Sequence, residues 1–567
     1  MIGEERTDVW KVIQRAIADG RVSRRQLLKY LGVGAGTISL SPILAACTSS
    51  GSKKARSQAG AGGAGRGGTL SIAARQTPVG LDHDFYFAEE DHQIRMSIYE
   101  NLMAFSTTTQ SDGLVVPVYD VAKMQGRLAE SWEVSTDNRT LTVHLRKGVM
   151  SHAGNELTAE DVQYTWDRGW KVNGSSAFYA QVIFGFKKPD WHVADKYTWE
   201  ITTPQPSAVL TMMMMNNDLN ILDAAEVKKH ATSSDPWAKQ WLASGDAGHG
   251  AYALQQWRPG SQVVLKAFPD YYRGSSTFDQ VVYKQVPEGS NRAALVQSGS
   301  VNIAENVPYL NLSKVKDSQQ VRLWQTTGNR LFRFEMNNAR PPLNDVRVRQ
   351  ALLYATPQDD ILRSLFFGFA TAEKSPVPST YPGYDGSFWD YPHDPTKAKQ
   401  LLSGAGVPNG FDMTITFDSA SEIMRDTATV LKSAFGDIGV RVTLDEVATA
   451  TYTTQVYQRK YQAFFLLEFP ILPDAGYALA LNYPSKSFLN STAYSNHQVD
   501  QLIAKGFATL DPTARDGIYR QIQQIMVAQD PPEAWIAQPG WQLVTRSDLK
   551  GVNWTTWEGY DIHALSL

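Results

Sequence analysis

The chain has 567 residues, which is too long for one simple hydrophobic core, so two or more folding units are expected. Its apolar, aromatic and charged fractions of 43%, 11% and 20% are those of an ordinary soluble globular protein. The formal net charge of -3 provides no basic excess, which argues against nucleic acid as a partner.

The first 47 residues have the pattern of an export signal. Residues 23–29, SRRQLLK, match the twin-arginine pattern through Arg24 and Arg25. An uncharged stretch follows and ends in Leu-Ala-Ala-Cys, which resembles a bacterial lipobox with Cys47 as the lipidated residue. Cys47 is also the only cysteine, so no intramolecular disulfide is possible. We therefore predict a signal peptide over 1–47 and a lipid anchor at Cys47; the general secretory route remains an alternative to the twin-arginine route.

Residues 48–68 are rich in glycine, serine and alanine and contain no large apolar side chain. Such a segment cannot bury enough surface to offset its ordering entropy. The sequence therefore predicts a flexible linker between the anchor and the folded part.

The first part of the folded region reads as strands, a hairpin and a capped helix. A strand is predicted near 68–72, and apolar alternation between Trp132 and Leu145 predicts a hairpin. Thr158 and Asp161 have the spacing of a capping box at a helix start. Trp132, Trp166 and the four methionines of 212–215 are predicted to fill the core.

The second part alternates strands and helices. In 331–355, Phe332 and Phe334 alternate with Arg333 and Glu335 as in a short strand, a proline turn follows, and Asn344 is predicted to cap a helix. Further on, Pro395 suits the first position of a helix that ends at 404–406. Strands near 440–444 and 463–467 and a helix over 513–527 complete the pattern. This alternation predicts an α/β architecture.

Common catalytic signatures are missing from the sequence. No zinc His-Glu-x-x-His motif, no Gly-x-Ser-x-Gly elbow and no phosphate-binding Gly-x-x-x-x-Gly-Lys loop occurs, and the ten histidines are dispersed. We therefore expect no catalytic residue, no metal site and no cofactor. A secreted hydrolase remains the alternative from a different functional class.

Several motifs in order resemble the family 5 extracytoplasmic solute-binding proteins of ABC importers. Residues 337–351, NNARPPLNDVRVRQA, follow the family signature, and 128–166, 248–252 and 269–274 are similar to further family blocks. The resemblance extends from Gly68 to about Val552. It implies a non-enzymatic receptor that captures a solute, an oligopeptide or similar, between two lobes by hinge closure and delivers it to a membrane permease.

The same resemblance implies the domain organisation. We expect a two-lobed periplasmic-binding-protein fold of the large cluster-C type, with 69–328 as lobe I including an extra subdomain, 329–530 as lobe II, and 531–567 returning to lobe I. The protein is expected to be a monomer held to the outer face of the cytoplasmic membrane, or in the periplasm, by its lipid anchor. Its expected partners are a small solute and the permease subunits.

Ligand contacts are expected from three loops that match family pocket positions. The residues concerned are Asp82, His83, Phe85, His249, Tyr252, Glu468, Phe469, Ile471 and Asp474. Ile471 stands where peptide-binding relatives carry an aspartate that can pair with a peptide amino terminus, which puts free-amine dipeptides in doubt. The many aromatic residues make an oligosaccharide a serious alternative ligand.

Overall fold

The computed structural model describes residues 67–567, so the predicted export signal with Arg24, Arg25 and Cys47, and all but the end of the predicted linker, lie outside the described residues. The strands are β1 (Thr69–Ala74), β2 (Met103–Ala104), β3 (Thr107–Thr109), β4 (Val115–Pro117), β5 (Gln125–Gly126), β6 (Ala129–Val134), β7 (Thr140–Leu145), β8 (Trp191–Asp195), β9 (Thr198–Thr202), β10 (Tyr252–Arg258), β11 (Gln262–Ala267), β12 (Gln280–Gln285), β13 (Ile303–Ala304), β14 (Val321–Thr326), β15 (Leu331–Met336), β16 (Ala370–Ala372), β17 (Asp412–Asp418), β18 (Arg441–Val447), β19 (Ala463–Glu468), β20 (Glu533–Pro539) and β21 (Trp541–Arg546).

The α-helices span Glu89–Ile98, Ala159–Val172, Ser175–Phe178, Leu210–Met213, Ala224–Lys229, Lys239–Leu242, Gly289–Gln297, Tyr309–Val315, Val346–Ala355, Gln358–Ser364, Pro395–Gly404, Glu422–Gly436, Thr449–Tyr457, Ala475–Asn482, His497–Ala508 and Pro512–Gln524.

Two large sheets organise the chain into two lobes. The first sheet has the order β10-β11-β12-β1-β13-β21-β14, and the second has the order β16-β20-β15-β19-β17-β18. The chain leaves the first sheet after β14 and re-enters it in β21, which pairs antiparallel with β14. Because these two strands are neighbours, the two connections between the lobes, residues 327–330 and Gly540, lie side by side as a hinge.

Glycines allow the two connections to approach each other. A Cβ on Gly328 would come within 2.7 Å of the Pro539 carbonyl oxygen, and one on Gly540 within 2.8 Å of the Thr326 carbonyl oxygen. Real Cβ atoms essentially never approach backbone this closely, so a larger residue at either position would push the connections apart.

A third sheet, with the order β6-β7-β9-β8, forms a subdomain of the first lobe. Trp166, on the helix Ala159–Val172, packs against Trp191 and Trp199 with ring centroids 5.3 and 5.6 Å apart. The methionines of 212–215 are buried in the same apolar cluster, as predicted, whereas Trp132 is only partly buried. The predicted hairpin is the antiparallel pair β6–β7.

The short strand predicted at the start of 331–355 is present as β15. All six of its residues are buried, because β15 lies inside the second sheet between β19 and β20. Arg333 and Glu335 are therefore buried as well, and the Arg333 guanidinium lies 3.4 Å from the Glu335 carboxylate and 3.5 Å from that of Glu533. The charged residues of this strand therefore form a buried ion-pair network and do not face solvent.

Predicted helix starts agree with the structure except at one position. Asp161 accepts a hydrogen bond from the Thr158 backbone amide at 2.7 Å, and Asp394 caps the helix that begins with Pro395. The predicted cap at Asn344 is wrong by one residue, since Asp345 accepts the bond from the Arg347 amide. Near the C-terminus, β20 still pairs with β15 and β16, so the chain returns to the first sheet at Gly540 rather than at residue 531.

Candidate functional site

A cavity of about 620 Å³ opens between the two lobes beside the hinge. The first lobe contributes the start of the helix Glu89–Ile98 and the segments 287–292 and 305–310. The second lobe contributes residues 364–367 and the segment 420–426, which leads into the helix Glu422–Gly436. Residues of both connections, Arg330 and Gly540, also reach the cavity. Its walls therefore belong to two lobes that are joined at its inner end.

Arg330 joins both lobes at this cavity. Its guanidinium lies 2.9 Å from Glu89 and 3.4 Å from Glu558, both in the first lobe, and 5.9 Å from the ring centre of Phe469 in the second. Burial alone would lower the pKa of Arg330, but the two carboxylates raise it. Arg330 therefore stays charged and links the hinge to one wall of the cavity.

The carboxylates of the cavity differ in their surroundings. Burial tends to raise the pKa of Glu89, but Arg330 and Arg75 bring it below the ordinary value. Burial raises the pKa of Glu558 to about 7 in spite of Arg330, and that of Glu305 to about 8. Glu305 accepts a hydrogen bond from the Tyr560 hydroxyl at 2.6 Å. One wall thus contains carboxyl groups that ionise close to neutral pH.

Three comparisons relate this architecture to known proteins. The family model of the bacterial extracellular solute-binding proteins, family 5 Middle, matches residues 123–490, which is more than half of the chain. The chain belongs to family 5 of the bacterial extracellular solute-binding proteins. The sequence resemblance at 337–351 is thereby confirmed.

Individual relatives of this family 5 protein are similar along most of its length. It is 26% identical over 487 residues to the probable D,D-dipeptide-binding periplasmic protein of Escherichia coli K12, covering 85% of this chain and 90% of that protein. It is 26% identical to heme-binding protein A of Haemophilus influenzae over 429 residues, covering 72% of this chain and 77% of that one. The periplasmic binding protein DppA of Helicobacter pylori, in complex with the peptide STSA, matches with a TM-score of 0.76 at 21% identity, covering 88% and 98% of the two chains. The predicted two-lobed α/β fold is confirmed.

None of the nine predicted ligand-contact residues lines the cavity of this family 5 protein. In the first predicted loop, Asp82 is fully buried and accepts hydrogen bonds from Arg168 at 2.6 and 3.0 Å. His83 is buried without a hydrogen-bond partner for either ring nitrogen, and burial lowers its pKa to about 3. Phe85 lies under the Lys239 ammonium, 3.5 Å from the ring centre. This loop forms an internal support of the first lobe.

The second predicted loop is a packing element. Gly248 and Gly250 lie against the end of the helix Glu89–Ile98, where a Cβ on either would meet the backbone within 2.4 Å. His249 and Tyr252 are both buried, and Tyr252, the first residue of β10, belongs to the apolar cluster around the first sheet. The close packing of this turn against the helix is sufficient reason for glycine at both positions, so the glycines do not indicate a ligand.

The third predicted loop lies at the contact between the lobes. Glu468 pairs with Arg333, and Asp474 caps the helix Ala475–Asn482 and lies 3.0 Å from Arg515. Phe469 faces Trp557 of the first lobe with ring centroids 6.4 Å apart, and Ile471 packs against the apolar cluster of the subdomain. Phe469 and Ile471 therefore belong to the interlobe contact beside the cavity.

An apolar contact closes the lobes on each other next to the cavity. Leu472, Tyr477, Leu481 and Leu489 of the second lobe are buried in the subdomain cluster of the first. At its edge, Phe178 meets Phe488 with ring centroids 6.3 Å apart. The two lobes are therefore joined by buried apolar side chains as well as by the hinge.

The sequence analysis missed the cavity residues Glu89, Glu305, Arg330 and Glu558. They come from four separate stretches that only the fold brings together. One signal was available: Arg330 directly precedes the apolar strand of the family signature, a place where a charge needs a partner. Within 67–567, no group of three or more His, Cys, Asp or Glu side chains has the arrangement of a metal site, and no helix there has the length and apolarity of a membrane span.

Proposed function

We propose that this protein is the substrate-binding component of an ABC importer that captures an oligopeptide or a similar solute in the cavity between its lobes. The observation that carries the proposal is the cavity of about 620 Å³ whose walls come from both lobes. Its size lies within the range of about 300–1,000 Å³ that is usual for small-ligand sites.

The proposed mechanism is closure about the hinge. A solute between Glu305 of the first lobe and the segment 420–426 of the second contacts both lobes only when they are closed. A ligand shifts a conformational equilibrium by its extra contacts in one state, so it stabilises the closed form. The closed form is then the one that delivers the solute to the permease.

Peptides are the favoured solute class. The similar E. coli protein is named for D,D-dipeptide binding, and the similar H. pylori structure holds the peptide STSA. An oligosaccharide is the second candidate, since Tyr309, Trp541 and Tyr560 line the cavity and could stack on sugar rings.

The deciding experiment is native mass spectrometry of the full chain with Cys47→Ser, purified under mild conditions. We expect an excess mass that denaturation removes and that fragments as a mixture of short peptides. A ladder spaced by hexose or pentose units would replace the peptide proposal with the oligosaccharide one. If no mass is retained, thermal shift with peptide and oligosaccharide libraries decides between the two classes.

We further propose that the protein is exported and held by a lipid at Cys47 to the outer face of the cytoplasmic membrane, as a monomer. The support is the lipobox-like Leu-Ala-Ala-Cys ending at Cys47. In cells fed a radiolabelled fatty acid, the wild type should incorporate label and fractionate with membranes. Cys47→Ser should do neither, while a nearby Ser49→Ala control should behave as the wild type. Label in the Cys47→Ser protein would reject the anchor.

A further inference from the structure

The cavity between the lobes is lined by more acidic groups than basic ones. Seven carboxyl groups and three guanidinium groups line it. The carboxyl groups are those of Glu89, Glu90, Glu288, Glu305, Glu422, Asp426 and Glu558, and the guanidinium groups are those of Arg75, Arg292 and Arg330.

One of the three guanidinium groups is already committed to the backbone. Arg292 donates to the carbonyl oxygens of Glu305 at 2.8 Å, Val286 at 2.7 Å and Pro287 at 2.6 Å, and also to that of Asn306. The N–H groups of Arg292 therefore donate to backbone carbonyl oxygens rather than to a carboxylate. The positive charge available to the acidic groups is therefore smaller than the count of arginines indicates.

The other two arginines have carboxylate partners. Arg75 and Gln76 donate to the two oxygens of Glu90 at 3.3 and 2.9 Å. Arg330 serves Glu89 and Glu558. The positive charges of the cavity are thus used by its own walls.

Glu305 is left without a cation of its own. Glu305 is 8% exposed. Among the described residues, the neutral hydroxyl of Tyr560 is the group that donates a hydrogen bond to its carboxyl oxygen. The Tyr283 hydroxyl beside this pair is buried and neutral. A buried carboxyl group with one neutral donor is costly to ionise, because no cation compensates its charge. A cationic group of a bound solute would supply the missing partner of Glu305.

We propose that the cavity selects a solute with a positively charged group, an ammonium or a guanidinium, and places that group against Glu305. On the opposite wall, Glu422 and Asp426 of the second lobe supply further negative charge when the lobes are closed. This inference rests on the proposed function and deepens it, because it makes the solute a basic peptide.

Binding of such a solute should release a proton. The burial of Glu305 raises its pKa to about 8; the Tyr560 hydrogen bond and Arg292 oppose this rise, and Glu90 and Glu89 add to it. The carboxyl group is therefore mostly protonated at pH 7. A cation placed against it favours the ionised form, so the proton leaves on binding.

The test is isothermal titration calorimetry of the full chain carrying Cys47→Ser with three matched tripeptides, Ala-Lys-Ala, Ala-norleucine-Ala and Ala-Glu-Ala. They share both charged termini; norleucine has the four-carbon side chain of lysine without its ammonium group, and glutamate reverses the sign of the side-chain charge. We expect Ala-Lys-Ala to bind at least about tenfold more tightly than the norleucine peptide. Its binding enthalpy at pH 7 should also change with the ionisation enthalpy of the buffer, as proton release requires.

Variants tie this preference to the site. Glu305→Gln keeps the shape of the neutral acid and should reduce the advantage of the lysine peptide to less than about threefold. Glu422→Gln, on the exposed rim, should reduce it by a smaller factor. Glu133→Gln removes an equal charge from an exposed position of β6, outside the cavity, and should leave the preference unchanged. A lysine preference that survives Glu305→Gln would overturn the assignment.

The remaining outcomes separate this inference from the proposed function. Three peptides bound equally well would overturn the charge preference and leave peptide capture intact. Binding of spermidine, but of no peptide, that weakens in Glu305→Gln would support the cation site and reject the peptide function. Tighter binding of Ala-Glu-Ala, or no binding of any probe, would count against the cation site.

Discussion

Replacing Arg330 with methionine tests whether this residue holds the hinge to the first lobe. The methionine keeps much of the length of the side chain and removes the charge that serves Glu89 at 2.9 Å and Glu558 at 3.4 Å. We expect Arg330→Met to destabilise the protein at pH 7 and much less at pH 5.

The magnitude follows from the protons that the two carboxylates can take up. The ordinary pKa of Glu89 is 4.5; burial tends to raise it, but Arg330 lowers it in the wild type. Without Arg330, Glu89 can avoid an unpaired buried charge by binding a proton. Protonation of Glu89 lowers the free energy of unfolding by at most roughly 3 kcal/mol at pH 7, and by less than about 1 kcal/mol at pH 5. Glu558 adds less than about 0.5 kcal/mol, because its pKa is already about 7 with Arg330 present. We therefore expect a loss of about 2–3 kcal/mol at pH 7, since Glu89 is partly exposed and solvent screens part of the pair.

The assay is urea unfolding of the wild type and the variant at both pH values, with Arg425→Met as the matched control. Arg425 pairs with Glu446 at 2.9 Å, but both side chains are exposed. Such a surface pair contributes less than about 1 kcal/mol. If Arg330→Met costs no more than the control at pH 7, or costs the same at pH 5 and pH 7, the role given to Arg330 is wrong.

Two further predictions concern the hinge and a buried acid. Gly540→Ala should cost about 1–3 kcal/mol in urea unfolding, because its Cβ would meet the Thr326 carbonyl oxygen at 2.8 Å. Gly517→Ala, on a helix with open space around it, should instead stabilise by up to about 1 kcal/mol; a harmless Gly540→Ala would contradict the close crossing. Burial raises the pKa of Glu373 to about 8, so its contribution to stability is present below pH 4.5 and is lost as the pH rises through 8. Glu373→Gln should therefore gain stability relative to the wild type between pH 5 and pH 8.5, and a constant difference would refute the shift.

Local structure was largely predictable because it depends on neighbours in the chain. Helix starts at Thr158 and Pro395, the β6–β7 hairpin and the buried methionines at 212–215 all follow from side-chain spacing and capping chemistry. The error at Asn344 is of the same local kind, since Asn344 and Asp345 are both good caps and only the backbone path selects one.

The nature of β15 could not be decided by its own sequence. Alternating Phe and charged residues describe a half-exposed strand equally well as a central strand whose charges find partners. The partners Glu468 and Glu533 arrive from strands far away in the chain, and their presence makes burial of Arg333 possible.

The sequence by itself determined the family, the two-lobed α/β fold and the order of most elements, because motifs and periodicity are local and recur in fixed order. The tertiary structure alone decided where the cavity lies and what charge it carries. Asp82, His249 and Asp474, which the sequence predicts as ligand contacts, are buried and do not line the cavity, while Glu305, Arg330 and Glu558 come together there from separate segments. The physical reason is that burial and pairing of a charge depend on groups distant in sequence, which spacing along the chain does not encode.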